Sequence, residues 1–310
     1  MNSVLQLTAP AFARAAGFLR QARPLEHMLF SFHFEGGAVE PARAALLAFQ
    51  NRDGGFHSLE ADIGFSLSTV LSTCHALHIL RELETPARHP AVQRALDYLL
   101  ATYDESNGAW PIIPPHDNSQ PHAPWWHFSD PTAESWQGLL DNPRPDVLAC
   151  LLAFPVEKTR HLVARVTAAT LVRLRATKGA IEMHGLLCYL RLYREPNLSP
   201  ELKTELERVL PASIAQGVER NPMKWTGYGL RPLDVAPWSD SPWRSLLAAE
   251  IEAHLDFLIR AQTADGSWAP HWNWGDSFPE AWPRAKLQWQ AVLTLANLRI
   301  LRSYGRLQSP

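Results

Sequence analysis

Cysteine is scarce in this chain, neither sign of charge prevails, and no apolar run is long enough to span a bilayer. Three cysteines in 310 residues cannot build a disulfide frame. Cys74, Cys150 and Cys188 each fall in apolar, helix-patterned stretches, as reduced core thiols in a cytoplasm would. Twenty-nine basic residues against 31 acidic ones, with a pI near 6.7, give no general attraction to nucleic acid or anionic lipid. The missing bilayer-length run argues against a transmembrane helix. Almost no stretch alternates polar and apolar with period two, which argues against half-buried strands. There is no Gly-rich phosphate loop after a strand, no Gly-x-Ser-x-Gly and no recognisable nucleophile triad, so no nucleotide or other cofactor is expected.

What is present is a helical pattern with unusual loops. The chain is 46% hydrophobic and 19% charged, ample for a packed core. Leu67, Val70, Leu71, Cys74, Leu77, His78 and Leu80 trace one apolar face, within a helix expected over 66–84. Val163, Val166, Thr170, Leu171 and Leu174 trace another; Leu246, Ile251, Leu255, Leu258 and Ile259 trace a third. The last helix carries Leu287, Val292, Leu295, Leu298 and Ile300. Prolines mark helix starts at Pro24, Pro41, Pro90, Pro145, Pro200 and Pro242. Roughly eleven or twelve helices are expected. Met1 to Gln21 reads as an amphipathic first helix; a transit peptide carrying Arg14, Arg20 and Arg23 is the alternative. Many of the 12 tryptophans fall instead in three long non-helical stretches, 104–131, 219–242 and 264–283. Loops of that length inside a compact domain are usually functional. No break in composition separates domains, so a single domain over 1–310 is expected.

The strongest signal is an internal repeat. Gln50-Asn-Arg-Asp-Gly-Gly-Phe56 returns as Gln262-Thr-Ala-Asp-Gly-Ser-Trp268, and a looser copy runs from Leu96 through Asn107-Gly-Ala-Trp110 with one extra turn residue. Gly54, Gly55 and Gly266 suit a sharp reversal between helices. Asp53 and Asp265 suit acceptance of hydrogen bonds from free turn amides. These are structural roles. The repeat resembles the QW motif of the terpene cyclase and protein prenyltransferase superfamily, in a bacterial branch. That resemblance implies an all-α, (α/α)6 toroid with long aromatic-rich loops at one end. It also implies an isoprenoid or other apolar substrate in an aromatic-lined central cavity. The family's acid motifs do not follow: Asp-x-Asp-Asp and Asp-Asp-x-x-Asp are both absent, and beyond Cys188 no cysteine remains for a prenyltransferase zinc site.

The candidate chemistry therefore rests on residue clusters. Glu60 and Asp62 follow the Gly-Gly-Phe turn beside His57, where a carboxyl of raised pKa would act as general acid; capping of the next helix by Asp62 is the structural alternative. His122, Trp125, Trp126 and His127 form a second group, whose indoles can shield a cation, stack on sugars or simply plug a cavity. Trp225, Tyr228 and Trp272 extend the expected substrate-binding set, with Trp274, Asp276 and Glu280 nearby. Asp234 and Asp240 flank Trp238, and Asp240 is the candidate second carboxylate to Asp62. Cys74 with His78 and His184 with Cys188 are spaced for a Cys2His2 zinc site, although buried core residues explain them better, so no metal is assigned. The expectation is a cytoplasmic enzyme of acid-initiated carbocation chemistry, with Asp62, Glu60 and Asp240 catalytic. A carbohydrate-active toroid, hydrolase or lyase, and a non-catalytic toroid for small ligands are the alternatives.

Overall fold

The computed structural model describes residues 4–130 and 132–308; Pro131, the expected end of the first long loop, lies outside them. In chain order the helices are α1 (Ala9–Arg20), α2 (Pro24–Phe34), α3 (Val39–Leu47), α4 (Val70–Glu82), α5 (Pro90–Ala101), α6 (Ala133–Leu139), α7 (Arg144–Ala153), α8 (Arg160–Ala176), α9 (Met183–Tyr193), α10 (Pro200–Gly217), α11 (Pro232–Val235), α12 (Ala248–Arg260) and α13 (Trp282–Ser303). The described residues contain no strand, only isolated bridges, so the chain is all-α. No described helix is long and apolar enough to cross a membrane.

Proline placement accounts for several starts: Pro24, Pro90 and Pro200 open α2, α5 and α10, and Pro145 is the second residue of α7. The missing N–H of proline falls where helix amides are free anyway. Helix α4 begins at Val70, not Ser66. Thr69 caps it by accepting from Ser72 N at 2.9 Å, while Phe56 and Thr69 bridge as extended chain. Asp62 is therefore not the cap, and Leu67, ahead of the helix, is 44% exposed.

The chain divides into two compact units: Leu46–Gly217, and the remainder up to Ala45 and from Val218 on. In the unit formed by the chain ends, α1, α2 and α13 pack together and α11 packs on α12. Leu7 N donates to Arg306 O at 2.8 Å and Gln308 N to Leu7 O at 3.0 Å, clasping the two ends. The buried Arg306 guanidinium reinforces the clasp by donating to Leu5 O, Asp256 and Glu252. In the unit Leu46–Gly217, α7 is the central helix. It is buried from Arg144 through Leu151 and packs on α4, α8 and α9, while α10 covers α8 and α9.

Both clear copies of the repeat adopt one turn. Gln50 Nε2 donates to Gly54 O and to Ala91 O of α5, each at 2.9 Å. Gln262 Nε2 donates to Gly266 O at 3.0 Å and to Ala11 O of α1 at 3.1 Å. Asp53 Oδ1 accepts from Gly55 N and Asp265 Oδ1 from Ser267 N, both at 3.0 Å. The aromatic residue's own amide then donates to a buried threonine of the following helix, Phe56 N to Thr73 at 3.0 Å and Trp268 N to Thr294 at 3.1 Å. The looser third copy shares the aromatic anchor: Trp110 Nε1 donates to Leu99 O at 2.7 Å, as Trp268 Nε1 does to Leu258 O at 2.8 Å.

Gly54 and Gly266 sit at φ +92° and +88°, where a Cβ would lie 2.3 Å from Arg94 O and 2.4 Å from Arg14 C. Gly55 serves closeness rather than backbone angle, since its Cβ would meet Ser68 and the Tyr98 ring. Gly54→Ala and Gly266→Ala should each destabilise by about 2 kcal/mol or more, from left-handed strain plus backbone collision. Gly17→Ala, inside α1 with open space around it, should instead gain about 0.5–1 kcal/mol. Denaturant melts of the three variants check this; an unchanged midpoint for Gly54→Ala would refute the turn geometry.

Candidate active site

The predicted Glu60–Asp62 and His122–Trp126 groups lie next to each other. Gly64 N donates to Pro121 O at 3.0 Å, Ala123 N donates to Asp62 O at 2.9 Å, and Ile63 bridges His122. Phe65 stacks on His116 at 4.3 Å, and His122 sits between His116 and His127 at 5.2 and 5.8 Å. His122 is buried, its Nδ1 2.6 Å from Gln120 O, and burial lowers its pKa. His57 is also lowered by burial, with Nδ1 3.0 Å from Ser58 Oγ. Asp62 is buried, Trp126 is half-buried, and Trp125 is 50% exposed.

Glu60 leads to a site that sequence patterning did not single out. Its Oε1 lies 2.5 Å from Nδ1 of His75 on α4. His75, His78 and Arg81 follow at i, i+3 and i+6, so they share one helical face. His78 Nε2 lies 2.8 Å from Asp146 Oδ1, and Arg191 of α9 donates to the same oxygen through Nε at 2.7 Å. Arg81 forms an ion pair with Glu195, just past α9. The side chains of His75, His78, Arg81 and Arg191 are 40, 25, 38 and 38% exposed, whereas Glu60, Asp146 and Glu195 are 11, 2 and 2%. Four cation-capable side chains are therefore partly accessible, each backed by a buried carboxylate.

Electrostatics follow from that layering. Burial alone would raise the Asp146 carboxyl, but the charges of Arg191 and His78 outweigh it and hold the group far below the usual carboxylate range. Burial would lower His75; the charge and hydrogen bond of Glu60, helped by Asp146 and opposed by Arg191, raise it above the ordinary imidazole value. Glu195 is raised by burial despite Arg81. The thiols beneath are inert: burial pushes Cys188 up to about 12 and raises Cys150 well above its normal value. Cys150 Sγ contacts Cys74 O at 3.7 Å and His78 at 3.6 Å.

The spacing-based zinc quartet does not assemble. His78 is held by Asp146, His184 Nδ1 lies 2.7 Å from Glu182, and Cys188 Sγ donates to Asn142 Oδ1 at 3.4 Å. Among the described residues no group of three or more His, Cys, Asp or Glu side chains is arranged to hold a metal ion.

The other predicted residues belong to the second unit. Trp225 is 1% exposed and packs on His254 and Phe257, with Nε1 donating to Glu219 O at 2.7 Å. It is packed into the core of that unit. Tyr228 is exposed near His271, Trp272 meets Trp289 edge-on at 5.0 Å, and Asp240 is exposed.

No family model matches the chain, and no curated protein does. A crystal structure of a protein from Actinoplanes is similar, at 17% identity and a TM-score of 0.49, over 95% of this chain and 89% of its own.

What sequence reasoning missed is the set on α4, α7 and α9. The available signal was isolated charge on apolar helices. Asp146 is the one acid in Arg-Pro-Asp-Val-Leu-Ala-Cys-Leu-Leu-Ala, and Arg191 interrupts Leu-Leu-Cys-Tyr-Leu-Arg-Leu-Tyr. A charge on such a helix is either paired or functional, because an unpaired one is too costly to bury.

Proposed function

We propose that the chain is an enzyme of the (α/α)6-toroid kind acting on an acidic saccharide, bound at the face carrying His75, His78, Arg81 and Arg191. The observation that carries this reading is the layering just described: the cation-capable side chains are partly accessible and their counter-carboxylates are buried. The guanidinium groups of Arg81 and Arg191 recognise carboxylates through paired N–H donors. The half-exposed Trp125 supplies a flat surface for a sugar ring. It lies two residues beyond Ala123, which is hydrogen-bonded to Asp62, two residues from the Glu60–His75 pair. A nearly continuous aliphatic lining would favour an apolar substrate, and this face is the opposite.

Calorimetric titration tests it. An oligouronide should bind while a neutral oligosaccharide of equal length does not, and binding should weaken with added salt. Arg191→Ala should lose about tenfold or more in affinity, about 1.4 kcal/mol. Equal affinity for neutral and acidic chains, or unchanged affinity in Arg191→Ala, would remove this reading.

A second reading is the isoprenoid one: acid-initiated carbocation chemistry on an apolar substrate, with Asp62 or Glu60 as donor. The burial of Asp62 beside the His122–Trp126 loop favours it, because it places a carboxyl next to aromatic rings and away from bulk water. The ion pair of Glu60 with His75 counts against that residue as an alkene-protonating acid. Turnover of prenyl diphosphates or polyenes, abolished in Asp62→Asn, would install it in place of the first. Saturable binding without turnover of either class would leave a ligand-binding toroid.

A further inference from the structure

Resting on the acidic-saccharide reading, we infer that the reaction is β-elimination, with His75 as the base that removes the proton adjacent to the substrate carboxylate. The argument begins from what can reach a substrate. Glycoside hydrolysis needs two accessible carboxyl groups, one as acid and one as base or nucleophile. On this face each carboxylate is sealed behind a cation: Glu60 behind His75, Asp146 behind His78 and Arg191, Glu195 behind Arg81. What remains partly accessible is imidazole and guanidinium. That pairing suits proton abstraction next to a carboxylate, where a base takes a carbon-bound proton and a fixed cation neutralises the charge that develops.

The local geometry assigns the roles. Nδ1 of His75 donates to Glu60 Oε1, which fixes the ring and leaves Nε2 as the nitrogen carrying the lone pair. Arg191 is anchored through Nε to Asp146 and through Nη2 to Cys188 Sγ at 3.7 Å. Its other guanidinium edge serves the substrate carboxylate. Asp146 touches no substrate; it is a positioning residue that aims Arg191 and His78 together.

The step balances without any further reactant. Nε2 of His75 takes the proton from the carbon bearing the carboxylate, and that C–H pair becomes a double bond to the neighbouring carbon. The C–O bond there breaks, its electron pair leaving with the glycosidic oxygen. The imidazolium returns the proton to that oxygen, so His75 ends neutral and neither water nor an oxidant is consumed. The products are a shortened chain and a fragment ending in a carbon–carbon double bond conjugated with the carboxylate.

The base form of His75 grows as pH rises. The groups facing it are Glu60, Asp146 and Arg191, and the net effect of the two acids over burial and Arg191 is upward. Activity should therefore climb with pH through a value above the ordinary imidazole pKa. Glu60→Gln removes the largest support and should move that limb to lower pH.

The test uses the full chain with an oligouronide, read by ultraviolet absorbance of the conjugated product and by product mass. Elimination gives fragments whose masses sum to that of the substrate; hydrolysis gives a sum one water heavier. His75→Gln should lose about 10²-fold or more in kcat, well beyond its loss of oligouronide affinity by calorimetry. A water-heavier sum, binding without cleavage, or a His75→Gln rate equal to wild type would overturn elimination while leaving the binding site standing. Absence of oligouronide binding in the wild-type protein would remove the underlying reading instead. If His75→Gln fails to fold, the Glu60→Gln pH limb decides: a limb left in place overturns the role of His75.

Discussion

Asp146→Ala should destabilise the protein by about 3–5 kcal/mol, more than any other single polar substitution on α4, α7 or α9. Asp146 is 2% exposed, and its Oδ1 is shared by Arg191 at 2.7 Å and His78 at 2.8 Å. Removing it leaves Arg191 beside a void with its Nε unpaired, and three helices lose their common charge link. Asp146→Asn keeps the shape but not the charge, so its loss should be smaller.

The pH dependence has a definite sign. The folded carboxyl is held below its unfolded value, so it binds its proton less readily in the native state. Its stabilisation is fully present above the unfolded carboxyl pKa of about 3.9 and is lost as pH falls through the lower folded value. Wild type should weaken steeply on acidification below about pH 4, and Asp146→Asn should show a shallower acid limb. Urea melts at a series of pH values measure both. Identical stability and identical acid limbs for wild type and Asp146→Asn would mean that the carboxylate is not the ionised hub described above.

How much of this was legible in the sequence depends on the kind of information. Helix periodicity and the repeated Gln–Asp–Gly–aromatic segment are local, and local physics makes them readable. The amide of Gln50 must reach Gly54 O four residues away, and only glycine tolerates φ +92° against Arg94. The start of α4 was misread because Leu67 continues the apolar spacing, whereas Thr69 supplies a better cap and the segment before it pairs with Phe56. The site was less legible for a different reason. His75 lies 71 residues before Asp146, and Asp146 lies 45 before Arg191; the three come together only where α7 packs against both α4 and α9. His78 reads as part of an apolar face because Cys74, four residues before it, and Leu77, next to it, are both apolar and buried. Glu60 was found through its place after a sharp turn. Its partner His75 was not, since nothing in a linear reading shows which imidazole the loop folds back upon.

The other large effect concerns the repeat. Trp110→Ala and Trp268→Ala should each cost about 3–5 kcal/mol, the range for emptying a buried indole site. Both rings are buried, at 0 and 3% exposure, and each spends its indole N–H on a carbonyl of the helix before the turn. The more discriminating variants are Trp110→Phe and Trp268→Phe. Phenylalanine keeps much of the ring contact but gives up the indole hydrogen bond to Leu99 O or Leu258 O, at about 0.5–1.5 kcal/mol. The expected result is a similar loss at both positions, because the anchor is the same despite one additional residue in the first turn. Phe56, at 0% exposure in the remaining copy, carries no ring N–H, so Phe56→Leu should cost packing alone and less than either alanine variant. Chemical denaturation of the four tryptophan variants and Phe56→Leu, on one scale, reads these differences directly. If Trp268→Phe weakened the protein while Trp110→Phe did not, the third copy would share only its spelling with the other two, and the turn would be a twofold rather than a threefold device.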